Sequence, residues 1–361
     1  MKKVKVLIFN PKITAGGISK ILSDFIVNFN NEVDVDILTL SIENDIYVKD
    51  LDVNIYTVGK SKNILKRIYS EYKIMKQGNY DAIHINGDYV SRVIECISAK
   101  IAGIKKIIIH SHSSKNLSNK KIKYICQNIF KKLFDYVATD YIACSKEAAI
   151  HMFSRKIIKE RKYKIIKNGI NIDKFKYSEK LRNEIRKKYN LENQTVIGYV
   201  GRLSPEKNPL FLLETFNEYN KKNKNSTLLI IGTGVLREQL DIKVNEYGLQ
   251  NKVLFLENKK DVYNYYNAMD CLVLPSFHEG LGIVSVESQT SGLPTLVSTG
   301  VPQIAKISEL IKFLPLNKGA KFWSDSINVN DCRKNFYKNA INNDYDIKKC
   351  ADDLLKVYNN K

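Results

Sequence analysis

Two carboxylates eight residues apart, Glu279 and Glu287, stand in the stretch SFHEGLGIVSVESQ, residues 276–289. Glu279 lies in a turn with Gly280 and Gly282. Glu287 falls about one turn inside a helix that opens near Ile283 and meets its stop signal at Gly292-Leu293-Pro294. Glycines at such a turn let the backbone approach a ligand closely, and first-turn N–H groups aimed at it favour a phosphate. A carboxylate at the rim of that pocket can accept hydrogen bonds from sugar hydroxyls. Taken alone, the same pair reads equally well as one acid capping a helix and one acid on its exposed surface.

Other junctions add cations and glycines. VGRLSPEKN carries Arg202 and Lys207 just after a strand-like run. A planar guanidinium fork and a point charge together suit a diphosphate, although by residue identity alone they are two surface cations. IIGTGVLREQL places Gly232 and Gly234 at a further strand-to-helix turn, a weak signal because tight turns use G-x-G constantly. PKITAGGISK puts Gly16 and Gly17 at the first helix start, where backbone N–H groups could meet an anion. It lacks the G-x-G-x-x-G fingerprint, which disfavours a nicotinamide enzyme and an epimerase of that kind. KKIIIHSHSS leaves His110 and His112 at a strand end, where a single histidine is more commonly packed or solvent-facing. Asp34-Val35-Asp36 has the D-x-D form of metal-dependent sugar transfer, but it sits in the alternating run NEVDVDILTL. An exposed strand face explains it, and no metal is called for.

The elements that must position these residues follow from a chain of 361 residues, long enough for two domains. Strand-like runs KVKVLIF, VDVDILTL, VNIYTV, YDAIHIN, KKIIIHS and DYIACS alternate with helical stretches. The pattern restarts at Thr195 with TVIGYVGRL, STLLIIGTG, KVLFLEN, DCLVLPS and LPTLVS. Strands separated by helices need crossover connections, hence parallel sheets covered on both faces. Ligands of such open sheets bind outside the carboxyl ends of the strands, which is where the residues above fall. The C-terminal DIKKCADDLLKVYNN is amphipathic through Ile347, Ala351, Leu354, Leu355 and Tyr358.

With 44% hydrophobic and 27% charged residues the composition is that of a soluble globular protein. No apolar run approaches the roughly 20 residues of a membrane span, and the short run in MKKVKVLIFN is a first strand rather than a signal peptide. Six cysteines without a C-x-x-C pair indicate neither zinc nor a disulfide framework and fit a reducing cytoplasm. The net charge of +20 is uneven: residues 1–175 hold 31 Lys/Arg against 17 Asp/Glu, and nine lysines with no acid lie between Lys100 and Lys132. Such a face attracts nucleic acid or an anionic membrane. No nucleic-acid motif accompanies it. KKIKYICQNIFKKLFDYV, residues 120–137, is a basic amphipathic helix with Ile122, Ile125, Ile129, Leu133 and Val137 on one side. That side either packs on a sheet or lies on lipid.

IACSKEAAIHMF, KNGINIDKF, GRLSPEKNPLFLLE, IIGTGVLREQL and AMDCLVLPSFHEGLGIVSVESQTSGLPTLVS occur in the order typical of one family. Nearly the whole chain resembles the retaining GT-B glycosyltransferases of family 4, of the bacterial capsule and exopolysaccharide type. The resemblance implies an α/β fold of two Rossmann-like doubly wound domains facing across a cleft. It implies an acceptor domain at 1–168, a linker at 169–176, a nucleotide-sugar domain at 177–342 and a helix at 343–361 crossing back to the first domain.

It also implies roles. Glu279, His112, Arg202 and Lys207 form the catalytic set, with Arg202 and Lys207 on the donor diphosphate and His112 overhanging the donor sugar. Glu279 contacts that sugar and Glu287 the ribose hydroxyls. Gly16, Gly17, Gly232, Gly234, Gly280, Leu281, Gly282 and Ile283 supply further donor contacts, and the segment holding Glu257, Asp261 and Val262 lines the base. Two positions depart from the pattern: Asn171 stands for the usual Asp of the NGID segment and Asn208 for a frequent Gly. The implied reaction moves a hexose or N-acetylhexosamine from a UDP-sugar to a glycan or lipid-linked acceptor with retention, without a metal or other cofactor. A cytoplasmic enzyme, peripheral on the inner face of an anionic membrane through its basic first domain, is expected. The alternatives are a catalytically idle relative serving as a partner subunit and a basic nucleic-acid-binding protein.

Overall fold

The structure, a computed structural model, describes residues 3–60, 63–87, 90–112, 121–329, 333 and 336–360, with the side chains of 121–127 left aside. The chain divides into two compact units, Met1–Ile170 with Asp346–Lys361 and Asn171–Tyr345.

The first unit is built on β1 (Val4–Phe9), β2 (Val33–Thr39), β3 (Asn54–Thr57), β4 (Ala82–Asn86), β5 (Lys106–Ser111), β6 (Asp140–Ala143) and β7 (Lys164–Ile165). They form one parallel sheet in the order β3-β2-β1-β4-β5-β6-β7. Its central strands are buried on both faces, as a parallel sheet covered by helices requires. Alternation sends Leu7, Phe9, Ile83, Ile85, Ile107 and Ile109 into one core layer. Val6, Ile8, Ala82, Ile108 and Ile142 go into the other.

Helix Gly17–Asn28 and helix Ile347–Asn359 cover that second layer. The latter starts at Asp346, whose carboxylate accepts from the Lys348 N–H, and Ile347 N–H donates to the Ile170 carbonyl at 3.0 Å. Gly169 is required at this junction, because a Cβ there would stand 2.7 Å from the Ile347 Cα. Leu354, Leu355 and Tyr358 are buried on the sheet. Each such apolar side chain contributes roughly 1.5–3 kcal/mol relative to exposure.

Two histidines are buried in the same layer. Burial, reinforced by neighbouring His112, holds the His84 imidazole at about 3 and His110 well below its usual value. In the unfolded chain each titrates near ~6.5. Below that pH the unfolded chain binds more protons than the folded one, so stability is full above ~6.5 and declines as pH falls toward the depressed folded value. Urea titrations should show the first unit losing up to about 1.4 kcal/mol per pH unit for each histidine in that window. His84→Phe should remove one histidine's share of the slope; an unchanged slope would refute the assignment.

The second unit is built on β8 (Thr195–Val200), β9 (Ser226–Ile231), β10 (Val253–Leu256), β11 (Cys271–Leu274), β12 (Thr295–Ser298) and β13 (Ile311–Leu314). All are parallel, in the order β10-β9-β8-β11-β12-β13. Strand order reverses between β1 and β4 in the first unit and between β8 and β11 in the second, which are the switch points where such sheets bind ligands. Under the second sheet, Asp270 accepts from Arg182 and Arg186 at 2.5 Å each and from the Val196 N–H at 2.7 Å. The same arginines cap the carbonyls of Asn267 and Ala268 that end helix Val262–Ala268. Arg333 joins the cluster on the Met269 carbonyl and stacks over Tyr177.

Three features differ from the sequence reading. β13 was not anticipated: a four-residue edge strand carries too little pattern. Asp36 does not lie on an exposed strand face but is 4% exposed, because Tyr80 Oη donates to it at 2.7 Å and Asn54 Nδ2 at 2.8 Å. In helix Lys121–Val137 the expected apolar stripe is divided. Val137 packs on the core beside fully buried Phe134, whereas Ile129 is 57% and Leu133 38% exposed. The side chains of Ile122 and Ile125 lie outside the described residues.

Candidate active site

The carboxyl ends of β8 and β11 bring two of the expected residues into direct contact. After β8 the chain passes through Gly201, Arg202 and Leu203 into a short turn of helix at Pro205–Lys207. After β11 it forms the loop 275–282 and enters helix Ile283–Thr290. Lys207 Nζ donates to both oxygens of Glu279, each at 2.6 Å, and Ser276 Oγ donates to Glu279 Oε1 at 2.7 Å. Glu279 is 7% exposed, so its charge is stabilised by these donors rather than by bulk water.

The two loops are fastened to each other and to their neighbours. Phe277 N–H donates to the Glu206 carbonyl at 2.9 Å, and Glu279 N–H to the Gly300 carbonyl at 3.0 Å. Ser298 Oγ donates to the Ser276 carbonyl. Buried Tyr199 donates its hydroxyl to the Arg202 carbonyl at 3.0 Å. The Arg202 side chain itself is exposed.

Gly232 and Gly234 serve this loop through close packing. A Cβ on Gly232 would stand 2.0 Å from the Gly201 carbonyl oxygen, and one on Gly234 2.2 Å from that of Leu203. Their bare backbones therefore seat the Arg202 loop, a use that the G-x-G spacing alone did not reveal.

Helix Ile283–Thr290 begins without a side-chain cap, after Gly282 in the left-handed region at φ 72°, and has no acid in its first turn. Its N-terminal N–H groups and dipole suit an anion. The rest of the helix is unusually polar for a buried element: Ser285, Glu287, Ser288, Gln289 and Thr290 are all buried. Gln289 accounts for part of this by donating to the Ala305 carbonyl and accepting from the Ile307 and Ser308 N–H groups. Glu287, 3% exposed, accepts from Tyr266 Oη at 2.8 Å. The exposed surface acid considered for this position is thus not what the fold holds.

Of the other expected residues in this unit, Gly280 and Ile283 are half-buried and Leu281 is buried at the same turn. Glu257 is exposed, Asp261 half-buried and Val262 buried, on the segment that leaves β10 and starts helix Val262–Ala268. Gly16, Gly17 and His112 belong to the first unit. Gly16 caps helix Gly17–Asn28 with no side-chain bond, and nothing lies within 4 Å of a Cβ built on Gly17. His112 is 7% exposed just beyond β5, at the same sheet end as the last residue of β4, Asn86. Its Nδ1 lies 2.9 Å from Asn168 Oδ1 and its Nε2 2.8 Å from Asn86 Oδ1.

Sequence reasoning missed Ser276, Tyr266, Asn86 and Asn168. The hydroxyl three residues before Glu279 and the asparagine ending a buried strand were the available signals. Tyr266 and Asn168 meet their partners only through the fold. Among the described residues no cluster of three or more His, Cys, Asp or Glu side chains could hold a metal ion.

Comparison with known proteins places this geometry. The family model described as glycosyl transferases group 1 matches residues 182–310. The UDP-Gal:alpha-D-GlcNAc-diphosphoundecaprenol alpha-1,3-galactosyltransferase of Escherichia coli is 29% identical over 317 residues, covering 81% of this chain and 79% of its own. The capsular polysaccharide biosynthesis glycosyltransferase CapM of Staphylococcus aureus is 30% identical over 186 residues, covering 50% and 48%. Among solved structures, HepE of Anabaena in complex with UDP and glucose superposes with a TM-score of 0.77 at 18% identity, covering 98% of both chains. The architecture is the two-Rossmann-domain GT-B fold.

Proposed function

We propose that this chain, a GT-B glycosyltransferase related to the glycosyl transferases group 1, is a retaining enzyme of the family 4 type. It moves a hexose or N-acetylhexosamine from a UDP-sugar to a glycan or lipid-linked acceptor in bacterial surface polysaccharide biosynthesis. The observation that carries this reading is the Lys207–Glu279–Ser276 cluster at the β8/β11 switch point, beside the uncapped start of helix Ile283–Thr290. A cation, an anion-seeking helix end and a buried carboxylate at one sheet end can grip both parts of a sugar nucleotide, the phosphates and the sugar hydroxyls.

In this reading Arg202 and Lys207 hold the diphosphate, Glu279 the transferred sugar and Glu287 the ribose. Donor binding draws Lys207 toward phosphate and leaves Glu279 oxygens to accept sugar hydroxyls. The leaving phosphate oxygen takes the acceptor's proton on the same face as the attack. Lys207, Arg202 and the helix N–H groups stabilise the charge growing on the nucleotide. The relatives with UDP-Gal and capsule biosynthesis in their names support the donor and the pathway class.

The fold alone does not separate transfer from epimerisation, since a Listeria monocytogenes structure assigned as a UDP-N-acetylglucosamine 2-epimerase also superposes, at TM-score 0.67 and 14% identity. A panel of nucleotide sugars, offered with a diphosphoundecaprenol-linked sugar as acceptor, tests the choice. The expected result is acceptor-dependent release of UDP and a product with the donor's anomeric configuration by NMR, undiminished by EDTA. Interconversion of the free sugar nucleotide without UDP release, or an inverted product, would overturn the reading.

The acceptor side is proposed to meet an anionic membrane surface. On helix Lys121–Val137 the exposed Ile129, Phe130, Leu133 and Tyr136 stand with exposed Lys132. Lys100, whose ammonium reaches the Tyr136 carbonyl, joins them. No helix of the described residues is long and apolar enough to cross a membrane. Flotation should show binding to vesicles with anionic lipid that falls steeply with salt, and Leu133→Glu should weaken it. Equal binding to neutral vesicles would count against the electrostatic part.

A further inference from the structure

His112 ends a row of polar side chains set in an apolar layer. His84 and Asn86 on β4, with His110 and His112 on and just past β5, alternate onto one face of the first sheet. That face is covered by helices Gly17–Asn28 and Ile347–Asn359. Tyr358, on the second of these helices, is 3% exposed. Its Oη lies 2.5 Å from His84 Nδ1, and His84 Nε2 lies 3.1 Å from His110 Nδ1. The His110 and His112 rings lie with centroids 4.0 Å apart.

The direction of this chain follows from the donors available. A buried phenol must send its proton to an acceptor, and the Tyr358 hydroxyl meets His84 Nδ1. Neutral His84 then carries its proton on Nε2 and donates to His110 Nδ1. His110 in turn carries its proton on Nε2, a buried position without a hydrogen-bond partner among the described residues. At the far end both nitrogens of His112 face amide side chains, Asn168 and Asn86; a neutral ring donates to the oxygen of one and accepts from the NH2 of the other once that amide is turned over.

We propose that Tyr358, His84 and His110, together with Asn86 and Asn168, are positioning residues that fix the His112 ring. His112 then acts through a held orientation and does not serve as a proton acceptor. This rests on the reading that gives His112 a place at the donor sugar. It deepens that reading by assigning the site a dependence on a tyrosine at the end of the last helix. A general base needs a ring nitrogen turned to the acceptor hydroxyl, and here both nitrogens are committed to Asn86 and Asn168.

The test uses histidine-selective 15N NMR on the full chain without ligand, which five histidines make tractable. His84 and His110 are expected as neutral Nε2–H tautomers from pH 5 to 8. Tyr358→Phe should give His84 a tautomer mixture and move the His112 resonances. His112 resonances that stay put in Tyr358→Phe would overturn the proposal. So would a wild-type His112 that titrates like a solvent-exposed imidazole.

Turnover supplies an independent arm. Asn168→Ala should lower kcat by about tenfold or more with KM for the nucleotide sugar unchanged, as expected for misorientation of a site group. A variant with lower thermal stability but wild-type kcat per folded molecule would show that the row is structural only. If the wild type turns over no donor, the glycosyltransferase reading fails, while the NMR arm still decides the brace.

Discussion

Lys207→Ala is expected to lower the rate of nucleotide release by about 10²–10³-fold, the usual loss when one preorganised electrostatic donor is removed from a site of charge development. The geometry makes this substitution informative. Lys207 donates to both oxygens of a carboxylate that is otherwise met by Ser276. Water that enters the space left by the side chain does not replace the ammonium's charge, and Glu279 then faces the incoming diphosphate unneutralised. Substrate binding and the chemical step both suffer, because like charges are brought together where the wild type places a cation. The structural cost is of similar size, up to about 3–5 kcal/mol, because the buried Glu279 carboxylate is left without its cation. Arg202→Ala separates the two effects: its side chain is exposed, so turnover should fall with the thermal midpoint unchanged. Kinetics of UDP release alongside thermal denaturation of both variants provide the measurement. Wild-type turnover in both would mean that the diphosphate is held elsewhere.

Asp270→Ala is expected to destabilise the second unit by about 3–5 kcal/mol, the range found when one partner of a buried ion pair is deleted. Asp270 is the carboxylate on which Arg182 and Arg186 converge. Burial first, and then repulsion from Arg182, lowers the Arg333 pKa in the same cluster. Without Asp270 three guanidiniums remain at close quarters, and the Val196 N–H loses its acceptor as well. Trp323, the single tryptophan of the chain, is fully buried in this unit. Its fluorescence therefore follows the unfolding of this unit by itself in a denaturant titration. A shift worth less than about 1 kcal/mol would mean that backbone carbonyls, rather than Asp270, hold the arginines.

Much of this architecture was legible because parallel α/β sheets write themselves plainly: apolar runs such as VKVLIF and KIIIHS recur between amphipathic helices, with glycines at the turns. The contacts of the candidate site were legible in part. The residue types at 202, 207, 279 and 287 and their placement after strands could be read directly. The contact of Lys207 with Glu279 spans 72 residues and is made by the adjacency of β8 and β11, which no local pattern encodes. Asp36 was misjudged for the same reason, since its partners Tyr80 and Asn54 arrive from other elements. Gly232 and Gly234 were noticed as possible ligand contacts, while their steric necessity lies in the neighbouring Gly201 and Leu203 carbonyls. Local periodicity reports which side chains are apolar. It cannot report which distant backbone will lie against a bare Cα.

Helix Ile347–Asn359 completes the core of the first unit although the whole of Asn171–Tyr345 comes before it in the chain. On the ribosome, the half whose synthesis begins first must therefore wait, with Ile8, Phe29 and Ile108 lacking their lid, until the other half has been made and can fold as an uninterrupted segment. A nascent chain halted at Tyr345 would carry a complete second unit while the sheet of the first still exposed the apolar face that this helix covers, surface of the kind that invites aggregation.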